Sequence, residues 1–164
     1  MSEKSLTLPV EADLATAAET AEFGARLANV LVAGDLVILD GPLGAGKTAM
    51  TKGIAAGLGV QGRVTSPTFV IAREHRPGPR PHGLPPVALV HVDAYRLGLT
   101  GQSALDELDA LDLDTDLTDA IVVVEWGEGL VEKLAERHVS VRLTRDPDSE
   151  IRRVVASRVE SVVT

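Results

Sequence analysis

The segment Leu36-Val-Ile-Leu-Asp40 runs directly into Gly41-Pro-Leu-Gly-Ala-Gly-Lys47-Thr48. The first part is an unbroken apolar run of strand length, the pattern of a strand buried on both faces of a parallel sheet. The second matches G-x-x-x-x-G-K-[ST] in full, a phosphate-loop pattern. Gly41, Gly44 and Gly46 let backbone N–H groups turn inward around an anion without a Cβ clash. A helix predicted over residues 47–58 points its positive end at the same place. Lys47 then has the reach for β- and γ-phosphates, and Thr48 offers a hydroxyl to Mg²⁺.

Outward from this segment, strand and helix patterns alternate. Residues 5–10 read as a short edge strand, and residues 13–32 carry helical spacing that stops at Gly34. Residues 69–73, 87–93, 120–125 and 139–143 are strand candidates, and 130–137 reads as helix. Residues 151–163 suit either strand or helix. Five of the nine prolines fall between 76 and 86, which predicts a mobile, solvated loop there. The expectation is an α/β fold over residues 1–164: a single-domain P-loop NTPase with a mixed, largely parallel sheet flanked by helices.

Composition narrows the function. The net charge is −8, from 24 acidic and 16 basic residues. Phosphate-driven nucleic-acid binding needs clustered Lys and Arg, so strong direct tRNA or DNA binding is not expected. Aromatics make up 2% of the chain, too few for a base-stacking platform. The absence of cysteine removes disulfides, thiolate zinc sites and a cysteine nucleophile. No apolar run reaches the ~18–20 residues of a membrane span, and no secretory leader is visible. The expected location is the cytoplasm.

A phosphate-loop site needs a carboxylate at the end of a neighbouring strand to hold Mg²⁺. Asp93 and Glu125 each end an apolar run, and parallel strands bring such ends to one edge of the sheet. Asp112, Asp114 and Asp116 imitate a calcium loop, but Leu117 stands where the turn needs glycine and Val123 where a bidentate Glu belongs. His75, His82, His91 and His138 have no metal-ligand spacing. His91, inside an apolar strand, reads as a packed, hydrogen-bonded residue.

The motif alone does not name a reaction. A guanine-reading Asn-Lys-x-Asp segment and a D-x-x-G switch are both missing, which argues against a guanine-specific GTPase. A small-molecule kinase stays open, with Arg73, Arg76 and Arg80 as candidate lid arginines, and so does a nucleotide-gated binding module.

Four segments taken together carry a more specific signal: Gly41 to Thr48, Ser66-Pro-Thr-Phe69, His91-Val-Asp-Ala-Tyr-Arg-Leu97 and Glu125-Trp-Gly-Glu128. In this combination the chain resembles the bacterial TsaE (YjeE) family of ATPases in tRNA threonylcarbamoyladenosine biosynthesis. The resemblance runs from about residue 20 to residue 128. It implies ATP on Gly44, Ala45, Gly46, Lys47, Thr48 and Ala49, and Mg²⁺ held by Thr48 and Glu125. It implies a switch-like segment at Ser66 and Thr68, with Thr65 adjacent. Asp93 takes a Walker-B-like position, a candidate catalytic group beside Lys47, and Tyr95 and Trp126 lie near the nucleotide. The implied partners are TsaB and TsaD, the latter modifying adenosine 37 of tRNA, with ATP turnover weak in their absence. Pro42 departs from the acidic residue more usual there, and the 77–86 stretch is longer and richer in proline than the family pattern.

Overall fold

The computed structural model describes residues 6–41, 46–60, 72–80, 83–93, 119–125 and 137–160. Their chain order is β1 (Val10–Leu14), α1 (Ala17–Ala28), β2 (Leu36–Asp40), α2 (Lys47–Leu58), β3 (Ala72–His75), β4 (Ala88–Asp93), β5 (Ala120–Glu125), β6 (Arg137–Arg145) and β7 (Arg152–Glu160). The strands form one seven-stranded sheet in the order β1-β7-β6-β2-β5-β4-β3. Pairings β6·β2, β2·β5 and β5·β4 are parallel, whereas β3, β7 and β1 attach antiparallel at the two margins. The mixed sheet expected from the alternating pattern is therefore present, with its parallel part at the centre.

The central position of β5 follows from its composition. All six residues of Ala-Ile-Val-Val-Val-Glu are buried, as expected of a strand covered on both faces. β2 beside it buries Val37, Ile38 and Leu39. On one side of the sheet, Val37, Leu39, Leu89, Ile121, Val123, Val139, Val141 and Val154 join Phe23, Leu27, Met50, Ile54 and Leu58 from the two helices in a single core.

α1 begins at a capping box. The Glu19 N–H donates to Thr16 Oγ1 at 3.1 Å, and the Thr16 N–H donates to the Glu19 carboxylate at 3.1 Å. Its buried positions, Thr20, Phe23, Gly24, Leu27 and Ala28, form the i, i+3, i+4, i+7, i+8 stripe of an amphipathic helix. This corrects the expected start of the chain. The strand lies at Val10–Leu14 rather than 5–10, because Val10, Ala12 and Leu14 alternate in register with β7, and the cap at Thr16 delays the helix to Ala17. The ambiguous C-terminal stretch is a strand, β7, that turns Val154 and Ala156 into the core and leaves Val155 exposed. The expected helix at 130–137 lies outside the described residues, except that Arg137 opens β6.

α2 is buried on more of its circumference, through Met50, Thr51, Gly53, Ile54, Ala55, Gly57 and Leu58, because it packs closely against α1 as well as into the core with the sheet. Its close approach to α1 passes through Gly53: a Cβ there would lie 1.9 Å from Ala21 O.

The described part of the proline-rich stretch carries no strand or α-helix, as expected of a loop, but it is tied down at Arg80. The buried guanidinium donates from Nη2 to Ala28 O and Leu31 O at 3.0 Å each, and from Nη1 to Pro85 O at 3.2 Å. A cation here meets the carbonyl end of α1, where the helix dipole favours it. Desolvation lowers the Arg80 pKa from its ordinary value, yet a guanidinium stays charged at neutral pH. Arg80→Ala leaves these carbonyls without their donor and is expected to cost about 2–3 kcal/mol. In thermal melts that is a fall of about 4–12 °C for a chain of this size. An unchanged melting temperature would show that the anchor contributes nothing.

Candidate functional site

The parallel strands end together, and the register shows which residues share that edge. Asp93 is paired with Glu125, Glu125 with Leu39, and Asp40 with Arg142. From the end of β2 the chain passes through Gly41 and re-enters the described residues at Gly46, the N-cap of α2. Gly46 has φ +105°, a conformation that suits glycine, and a Cβ there would come 3.3 Å from Arg152 Cδ. It supplies no side-chain cap, and the first turn of α2 carries no acidic residue. The N-terminal N–H groups of α2 thus have no anionic side chain of their own helix beside them, the arrangement of an anion-binding helix start.

Lys47, Thr48 and Ala49 form the first turn, all half-buried. The Lys47 ammonium donates to Gly41 O at 2.8 Å, spanning the mouth of the loop from α2 back to the end of β2. Gly44 and Ala45 lie outside the described residues. So do the switch-like residues Thr65, Ser66 and Thr68, together with Tyr95, Trp126 and Glu128. Asp93 ends β4 opposite Glu125 in backbone register, but its side chain is outside what is described.

Glu125 is the carboxylate that meets α2. It is buried, and Thr51 Oγ1 stands 3.5 Å from its Oε1. Thr51 lies three residues after Thr48, so the two hydroxyls share a helix face, one turn apart. That face turns toward the end of β5. By contrast, Asp40 is engaged by Arg142 at 3.4 Å. A threonine hydroxyl and one carboxylate are hard oxygen donors of the kind that suit Mg²⁺, which usually keeps waters and phosphate oxygens for its other positions. The described residues contain no cluster of three or more His, Cys, Asp or Glu able to hold a metal by protein groups alone. The donor set therefore fits a metal that arrives with phosphates.

Two residues near Glu125 were given no role at the site by the sequence. Thr51 falls outside the loop pattern, although its spacing of three from Thr48 is the signal that reveals it. His91, expected to be packed and hydrogen-bonded, is fully buried, but neither ring nitrogen makes a hydrogen bond among the described residues. Its Nε2 lies 3.3 Å from Glu125 Oε1.

Comparison with known proteins bears on the family and the fold. Residues 14–155 match the family model described as threonylcarbamoyl adenosine biosynthesis protein TsaE. The chain is 60% identical over 136 residues to the tRNA threonylcarbamoyladenosine biosynthesis protein TsaE of Mycobacterium tuberculosis, covering 82% of this chain and 78% of that one. It is 54% identical over 139 residues to the protein of the same name from Streptomyces coelicolor, covering 83% and 88%. Among solved structures, Bacillus subtilis YdiB superposes with a TM-score of 0.66 at 26% identity, covering 93% of this chain and 87% of that one. A family match across most of the chain, relatives above half identity and a shared fold lead to one conclusion: the chain belongs to the TsaE family of threonylcarbamoyladenosine biosynthesis proteins.

Proposed function

We propose that the protein is an ATPase that binds and hydrolyses Mg-ATP in the cytoplasm to support a TsaB/TsaD complex in the threonylcarbamoyladenosine modification of tRNA adenosine 37. The observation that carries the reading is the meeting of the Lys47 ammonium, the uncapped start of α2 and the buried Glu125 carboxylate at one sheet edge. In this reading the α2 N–H groups and the loop from Gly41 to Gly46 cradle the phosphates. Lys47 exchanges Gly41 O for a phosphate oxygen, and Thr48 and Glu125 hold the cation. Mg²⁺, when bound, neutralises charge on the β- and γ-phosphates. Asp93, on the strand beside Glu125, is the proposed second acid of the site. Thr65, Ser66 and Thr68 are the proposed switch, and TsaB and TsaD supply what the chain lacks for fast turnover.

A net charge of −8 suits a subunit that drives the assembly without itself gripping tRNA. Among the described residues, no helix is long and apolar enough to cross a membrane. The kinase alternative loses one of its candidate lid arginines, since Arg80 is committed to the end of α1.

ATP hydrolysis by the purified chain, alone and with purified TsaB and TsaD, tests the proposal. The expected result is turnover near background alone and a clear rise with the pair. Binding of ATP with no response to the pair would retain the nucleotide site and remove the role in the complex.

A further inference from the structure

His91 is costly where it stands. Its strand neighbours Leu89, Val90 and Val92 are fully buried and apolar, and so is its β5 partner in register, Val123. An imidazole at that position, with no hydrogen bond to either nitrogen, carries the desolvation of two polar atoms that a valine or leucine would avoid. Among the described residues the carboxylate it approaches is that of Glu125, and it approaches Oε1, the same oxygen that faces the Thr51 hydroxyl. Thr51 is itself fully buried, and its single hydroxyl proton has its shorter acceptor in Lys47 O at 3.0 Å, within the first turn of the candidate phosphate site, so that Oγ1 stands against Glu125 Oε1 as a longer contact. One carboxylate oxygen is thus flanked from β4 and from α2. The other oxygen of Glu125 makes no hydrogen bond or ion pair among the described residues.

We infer that His91 is a positioning residue for the divalent cation of the bound nucleotide. By standing against Oε1 of Glu125 from β4, as Thr51 does from α2, it restricts the plane of the carboxylate so that its second oxygen is presented to the cation. The inference rests on the Mg-ATP reading above. Carboxylate ligands held in this way by outer partners typically lose ten- to a hundred-fold in metal affinity when the partner is removed.

The test is a Mg²⁺ titration of nucleotide binding, followed with a fluorescent ATP analogue on the full chain, with an EDTA arm to read binding without metal. The variants are His91→Leu, His91→Gln and Thr51→Val, each checked by thermal melting. His91→Leu removes the unsatisfied nitrogens and is expected to melt no lower than the parent. It should bind the analogue in EDTA as the parent does, but should need about ten- to a hundred-fold more Mg²⁺ for the half-maximal response. His91→Gln, which keeps an N–H donor, should recover part of that shift, and Thr51→Val should move in the same direction as His91→Leu. A purely structural histidine would alter melting or metal-free binding and leave the Mg²⁺ midpoint in place.

Mg²⁺ curves for His91→Leu and Thr51→Val that superpose on the parent curve would overturn the inference while leaving the Mg-ATP reading intact. A parent protein that binds the analogue with no response to Mg²⁺ would remove that reading and the inference with it. Should His91→Leu fail to fold, His91→Met replaces it, with the same expected shift in the Mg²⁺ midpoint and the same overturning result.

Discussion

Lys47→Ala is expected to lower ATP turnover, measured with TsaB and TsaD present, by at least about a hundred- to a thousand-fold. Among the described residues, Lys47 supplies the side-chain cation that bridges the loop mouth, from α2 to Gly41 O at the end of β2. In a phosphoryl-transfer site, catalysis is almost wholly positioning and charge stabilisation. Removing one preorganised donor from such a site typically costs factors of 10²–10³, or roughly 3–4 kcal/mol. The fold should tolerate the change, because Lys47 is half-buried at a helix start and outside the apolar core. Turnover close to the parent value in the same assay, with a parent-like melting curve, would remove Lys47 from the catalytic site.

Gly53→Ala should produce a large loss of stability for a single added methyl group. Intrinsic helix propensity favours alanine over glycine by about 1 kcal/mol. Here that preference loses to packing: the new Cβ would stand 1.9 Å from Ala21 O, with the Ala21 carbonyl carbon at 2.7 Å. The opposing atoms are backbone, so relief requires α1 and α2 to move apart. They share one core with Phe23, Leu27, Met50 and Ile54, and separating them opens it. Overpacking of this kind costs about 1–3 kcal/mol and sometimes more, and a contact this short belongs at the upper end. A fall of about 6–12 °C in melting temperature follows for 3 kcal/mol at this chain length. Because the start of α2 is the proposed phosphate site, nucleotide affinity is expected to fall as well. A variant that melts at or above the parent temperature would show that the helices separate at little cost.

Much of the fold was legible because its signals are local. The apolar runs of β2, β4 and β5 and the glycine-bounded helix Lys47–Leu58 stand where periodicity puts them. The N-terminal strand was misplaced because Leu6, Leu8 and Val10 alternate just as Val10, Ala12 and Leu14 do, and only pairing with β7 selects between them. The Thr16–Glu19 capping box is readable in the sequence and would have separated Leu14 from the helix. Arg80 was unreadable as an anchor, since its carbonyl partners Ala28 and Leu31 lie about fifty positions earlier.

At the candidate site the same division holds. The candidate phosphate loop, its lysine and threonine, and two carboxylates at strand ends were legible in the sequence, because spacing within one turn or one strand sets those positions whatever the rest of the chain does. The combination of four segments pointed to the family that the comparisons then showed. Only the tertiary structure decided that Glu125 meets α2 through Thr51, that Asp40 is engaged by Arg142, and that a buried histidine stands behind the carboxylate. Each of these depends on strand order and register, and contacts between residues tens of positions apart are set by the packing of whole elements.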